Sequence, residues 1–113
     1  MGSSGQDIPV TRAEWIKTVE PQLIADVRMY TTAEGGKKIP ALPGYGCPCS
    51  ASKEEPMVGY DGWPILDEPL APGDCRRIGF VFLSGQEAAD VFRRAGIFYL
   101  WEGRFVGEAH VVS

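Results

Sequence analysis

No apolar run in this chain approaches the roughly 18 residues that a membrane-crossing helix requires. Nor is there a Gly-x-x-x-x-Gly-Lys-Ser/Thr loop to cradle nucleotide phosphates. No membrane association and no GTP binding are therefore expected. Histidine occurs once, as His110, and cysteine three times, as Cys47, Cys49 and Cys75. Three thiols cannot all pair within one chain, so reduced cysteines are expected rather than a disulfide framework. Positive charge is also short: 11 Lys and Arg against 15 Asp and Glu give a formal net charge of −4. That is the wrong sign for gripping phosphate backbones by bulk electrostatics. The basic pairs Lys37-Lys38, Arg76-Arg77 and Arg93-Arg94 lack the interleaved aromatics that stack on bases. At the N-terminus, Met1 to Gly5 have neither the basic start nor the apolar stretch of a secretory signal. Residues 1–10 read as a flexible leader or added tag, and a cytoplasmic location is expected.

What the chain does have suits a small globular fold. Its 44% hydrophobic and 23% charged residues lie in the globular range, and 113 residues suffice for one domain, taken as 11–113, with a modest core. Thr11 followed by Glu14 forms a capping-box pattern that predicts a short helix up to about Val19, closed by Pro21. In "LIADVRMY" one parity carries Leu23, Ala25, Val27 and Met29 and the other Asp26 and Arg28, the two-residue period of a half-buried strand. "TTAEGGKKIPALPGYG" then reads as a long shaped loop, its Gly35-Gly36 relaxing the backbone and Pro40 and Pro43 discouraging a ladder. A second strand is expected near Tyr45 to Ala51. Asp61-Gly62 between apolar flanks predicts a two-residue hairpin turn, with Pro64 making its outgoing arm an edge or irregular strand. "LAPGD" predicts a turn, and "CRRIGFVFL" a strand covered on both faces, with Ile78, Phe80 and Phe82 on one side and Val81 and Leu83 on the other. Ser84 and Glu87 repeat the capping box ahead of a ten-residue helix ending at Gly96. The last segment reads as two strands around Glu102-Gly103-Arg104, with Phe105, Ala109 and Val111 on one face and Val106, His110 and Val112 on the other.

Few residues suggest chemistry. Cys47-Pro48-Cys49, Cys75 and His110 are four groups of metal-ligand type. Their Cys-x-Cys spacing departs from the zinc-knuckle pattern, and they come from three separate segments. Buried cysteines are more often small apolar fillers, so no metal and no other cofactor is expected. A Cys/His nucleophilic pair would need an orienting third group that the sequence does not display. Tyr60, Trp63 and Trp101 are candidate interface anchors, with core or hairpin packing as the competing role.

Taken in order, "IADVRMYTTAEGGKKIPALPGYG", "LAPGD" and "FYLWEGRFVGEAHVV" resemble the third, C-terminal β-barrel domain of the elongation factor Tu family, over about Leu23 to the C-terminus. The matching residues are Glu34, Gly35, Gly36, Lys37, Pro40, Gly44 and Tyr45, then Leu70 to Asp74, then Phe98 to Val112. The resemblance implies an all-β fold, a six-stranded antiparallel closed barrel with one or two short helices. It departs from the family in lacking the GTP-binding domain and the second barrel, in a single glycine at the terminal hairpin, and in Gly-Cys-Pro-Cys after Tyr45. In that family the domain packs on its siblings and touches the backbone of transfer RNA. By motif, Lys37 and Arg104 are the residues to carry over, with Gly35, Gly36 and Gly103 letting backbone approach a partner. The expected function is a non-catalytic module engaging a protein partner, translation-related or of the bacterial immunity or regulatory kind. One alternative is weak RNA binding through Lys37, Lys38 and Arg104, and another is a Cys/His metal site or thiol enzyme.

Overall fold

A computed structural model describes residues 19–113. The helix expected from Thr11 lies almost wholly outside the described residues. Six strands and one helix follow: β1 Leu23–Met29, β2 Cys47–Ser50, β3 Tyr60–Pro64, β4 Cys75–Phe82, α1 Gln86–Ala95, β5 Ile97–Trp101 and β6 Phe105–Val111. They form a closed antiparallel barrel in the order β1-β4-β3-β2-β5-β6, with β6 pairing back onto β1. Closure leaves no free sheet edge along this circuit. The all-β barrel is thus the observed fold.

β1 shows why the alternation mattered. Leu23, Ala25, Val27 and Met29 point inward and are buried, while Asp26 faces out and bonds Arg77 on β4 through two hydrogen bonds, at 2.8 and 3.1 Å. Inward residues of the six strands meet a ring cluster in which Phe98 stacks on Phe92 of α1 at 4.5 Å and meets Phe80 edge-on at 5.0 Å. Such offset and edge-to-face pairs suit the aromatic quadrupole. α1 buries Ala88, Ala89 and Phe92 and stops at Gly96, whose left-handed backbone lets its N–H reach the Phe92 carbonyl.

Four local expectations are corrected. Asp61-Gly62 is not a turn: both lie within β3, with Gly62 opposite Cys47 on one side and Phe82 on the other. Glycine is needed there for room, because a Cβ would stand 2.8 Å from the Phe82 ring and 3.1 Å from Cys49 Sγ. Pro64 ends the same strand, past the last β2 partner, where its missing N–H costs no ladder bond on that side. Leu83 falls just beyond β4 and is exposed rather than covered, although Val81 is buried. Ser84 does not cap α1: the cap is Gly85, without a side-chain bond, because the chain turns tightly from β4 into the helix. On β6 a register shift opposite Leu100 and Trp101 brings Val106 inward together with Gly107 and Ala109, so the simple parity of the terminal strand is broken. Phe105 instead meets Tyr99 edge-on at 6.0 Å.

Candidate functional site

The long β1–β2 loop and the β5–β6 turn, 65 residues apart at Lys37 and Glu102, meet at one end of the barrel. Thr31 and Glu34 start the loop with a tight bend: Glu34 N–H donates to Thr31 Oγ1, and Thr31 N–H donates to Glu34 Oε1. Gly36 then packs so closely on the strand that a Cβ would collide with the Tyr30 carbonyl, which only glycine avoids. Lys37 follows, and its side chain is 7% exposed. Its Nζ donates to both Glu102 carboxylate oxygens, at 2.8 and 3.2 Å, and lies 4.8 Å from the Tyr45 ring centroid. Tyr45 donates its hydroxyl to Glu102 Oε1 at 2.7 Å, and Arg104 donates to the Gly36 carbonyl at 3.1 Å. One carboxylate therefore ties the loop, the start of the second-strand segment and the terminal hairpin together. Burial pushes Glu102 up, but the bonds from Lys37 and Tyr45 outweigh it and hold the carboxyl below its ordinary range. Burial, ahead of Cys47 and Glu102, pushes the Tyr45 phenol far above its ordinary value, so it stays a donor.

The residues singled out from sequence are thus partly assembled. The segment that carries Gly35, Gly36 and Lys37 and the segment that carries Gly103 and Arg104 do come together, but to bond each other, Arg104 to the Gly36 carbonyl and Lys37 to Glu102. Gly35 and Gly103 adopt φ of +98° and +73°, which their turns require. Lys38 stays exposed, and beside it so do Ile39 and Leu42, at 66% and 57%. Neither aliphatic was singled out from sequence. The available signal was two large apolar side chains among the glycines and prolines of a loop. Tyr45 and Glu102 were also missed, since only the folded chain brings the lock's members together.

The three aromatic candidates are all half-buried, and Trp63 and Trp101 alternate with the buried inward residues of β3 and β5. Tyr60 is half-buried, meeting Phe92 edge-on at 5.7 Å. Trp63 is half-buried with its indole against Gly46, and Trp101 is half-buried on β5. The cysteines separate into two places. Cys47 and Cys49 point into the barrel side by side, and Cys49 is pushed well up by its bond with Cys47 and by burial. Cys75 is exposed at the start of β4. His110 sits two strands away on β6, where its Nε2 is 2.8 Å from Glu108 Oε2. Among the described residues no three His, Cys, Asp or Glu gather as a metal site, and no hydrogen bond joins a thiol to His110.

On the outer wall a second network runs along β1 and β6. Glu108 accepts from the Tyr30 hydroxyl at 3.0 Å and from Arg28 at 3.3 Å as well as pairing with His110. The His110 bond, ahead of burial acting the other way, holds the Glu108 carboxyl below its ordinary range.

The class that these observations define is a small closed antiparallel barrel with a locked loop at one end. No family model matches the chain, and no curated protein matches it significantly.

Proposed function

We propose that this protein is a non-catalytic binding module that engages a protein partner through its β1–β2 loop. The observation that carries this reading is the exposure of Ile39 and Leu42 beside Lys38, on a loop pinned by the Lys37–Glu102–Tyr45 lock. Large aliphatics held out by a pre-ordered loop lose little conformational freedom on binding, which favours affinity. The complementary partner offers an apolar recess for the two aliphatics and a carboxylate for Lys38. Kinship with the third barrel of elongation factor Tu belongs to the same reading and is supported by the order of the sequence motifs. It points to a translation-related or immunity-type partner and a cytoplasmic setting. RNA is the less favoured partner, because Lys37 directs its charge to Glu102 instead of outward.

A photoreactive residue in place of Leu42 should capture one protein in an extract of the source cells that the same residue in place of Leu83 does not. Ile39→Glu should abolish that capture without lowering the melting temperature, since Ile39 is exposed. Yield should hold between about 50 and about 300 mM salt, over which phosphate contacts weaken steeply. Recovery of transfer RNA with a steep salt dependence, or capture that survives Ile39→Glu, overturns the proposal.

A further inference from the structure

The ammonium of Lys53 lies against three aromatic rings, at 4.8 Å from the centroid of Tyr30, 4.9 Å from Tyr99 and 5.6 Å from Phe105. Each distance is within the roughly 6 Å over which a ring face attracts a cation. The rings belong to the barrel: Tyr30 follows β1, Tyr99 is on β5 and Phe105 opens β6. Tyr99 and Phe105 stand nearly perpendicular at 74°, so they form two walls of a corner rather than a flat patch. Glu108 adds a carboxylate, fixed by the Tyr30 hydroxyl at 3.0 Å and by Arg28 at 3.3 Å. The adjoining cleft of about 280 Å³, lined by Arg28, Tyr30, Glu34, Lys53 and Glu108, has room for a small organic cation.

The occupant is attached differently from its receptor. Lys53 is exposed, on the connection between β2 and β3, and it forms no ion pair with Glu54 or Glu55 beside it. Apart from the contact of Lys53 with the Tyr30 hydroxyl, the side-chain hydrogen bonds of that connection join Ser50 to Ser52, Ser52 to Glu54 and Glu55 to Met57, all two residues apart. The cage is thus built on strands held by barrel pairing, and its cation on a segment held by local bonds. Withdrawing Lys53 would break no ladder and empty no part of the core.

We propose that Tyr30, Tyr99, Phe105 and Glu108 form a binding site for a methylated ammonium group, and that Lys53 occupies it as a built-in competitor. A methylated ammonium suits three ring faces better than a bare one, because it gives up less hydration and adds methyl contact with the rings. The cleft borders the start of the β1–β2 loop at Glu34 but does not include Lys38, Ile39 or Leu42, the residues assigned to the protein partner.

The test uses the full chain and two probes: tetramethylammonium, and a short peptide containing trimethyllysine with its unmethylated counterpart. Binding is read by nuclear magnetic resonance from the ring signals of Tyr99 and Phe105. Lys53→Ala should bind tetramethylammonium at least about tenfold more tightly than the unaltered protein, because the competitor's share of the site is released. Tyr99→Leu in the Lys53→Ala background should remove binding while the dispersed methyl signals of the core show the barrel intact. A trimethyllysine peptide that binds more tightly than tetramethylammonium identifies a methylated chain as the ligand's source, and equal binding identifies a small free amine. Equal affinity of the unaltered protein and Lys53→Ala, no saturation in either, or binding that survives Tyr99→Leu overturns the proposal.

Discussion

At the residue scale, the least expected feature is a lysine turned into structure. Lys37 reads in the sequence as a surface cation after a double glycine, yet it is buried against Tyr45 and paired with a carboxylate that is itself 47% exposed. The two partners are therefore unequal. Glu102→Ala leaves a buried ammonium without its charged partner and should cost about 1–3 kcal/mol by chemical denaturation. Lys37→Met keeps an apolar stem of similar reach, and Glu102 turns to water, so about 1 kcal/mol or less should be lost. The reverse order would show that the ammonium is well solvated. Because the folded protein holds Glu102 below its ordinary range, its stabilisation is present above the unfolded value of about 4.3 and fades as pH falls through the lower folded value. The difference between the parent and Glu102→Ala should accordingly shrink in acid. The thiols supply a second residue-scale prediction. Cys75 is exposed and Cys47 and Cys49 are buried, so a thiol reagent should label one cysteine quickly and the others only after unfolding. Three equal rates would mean that β2 is open.

At the element scale, the sequence was legible wherever local chemistry and tertiary demand agree. β1 alternates because one face is core, and α1 stops at Gly96 because the left-handed cap needs no Cβ. Asp61-Gly62 shows where that logic fails. The dipeptide favours a turn, but β3 is closed in on both sides by β2 and β4, and Gly62 is selected by the Phe82 ring and Cys49. Gly62→Ala should therefore destabilise the protein by about 1–3 kcal/mol through overpacking, read from the urea midpoint. A neutral effect would mean that β2 and β3 can spread apart at this point. The terminal strand fails for a related reason. Its register shift depends on how β5 ends against β6, which no alternation within β6 alone encodes.

At the scale of the whole molecule, the barrel wall and the helix share one buried core cluster. Phe98 is fully buried between Phe80, Phe82 and Phe92, joining the wall of the barrel to α1. Phe98→Ala should cost about 3–5 kcal/mol and lower the melting temperature of strand and helix signals together. Separate transitions would show that α1 is an independent flap. No helix among the described residues is long and apolar enough to cross a membrane. By itself the sequence determined most of the strands, though not β3, where the long loop begins and where the helix after β4 ends, since periodicity and glycine-proline punctuation act over a few residues. Only the tertiary structure decided that Lys37 belongs to Glu102, that Gly62 is crowded and that three rings converge on Lys53. Those facts depend on which distant strands become neighbours when the cylinder closes, and closure is set by the summed packing of all six strands.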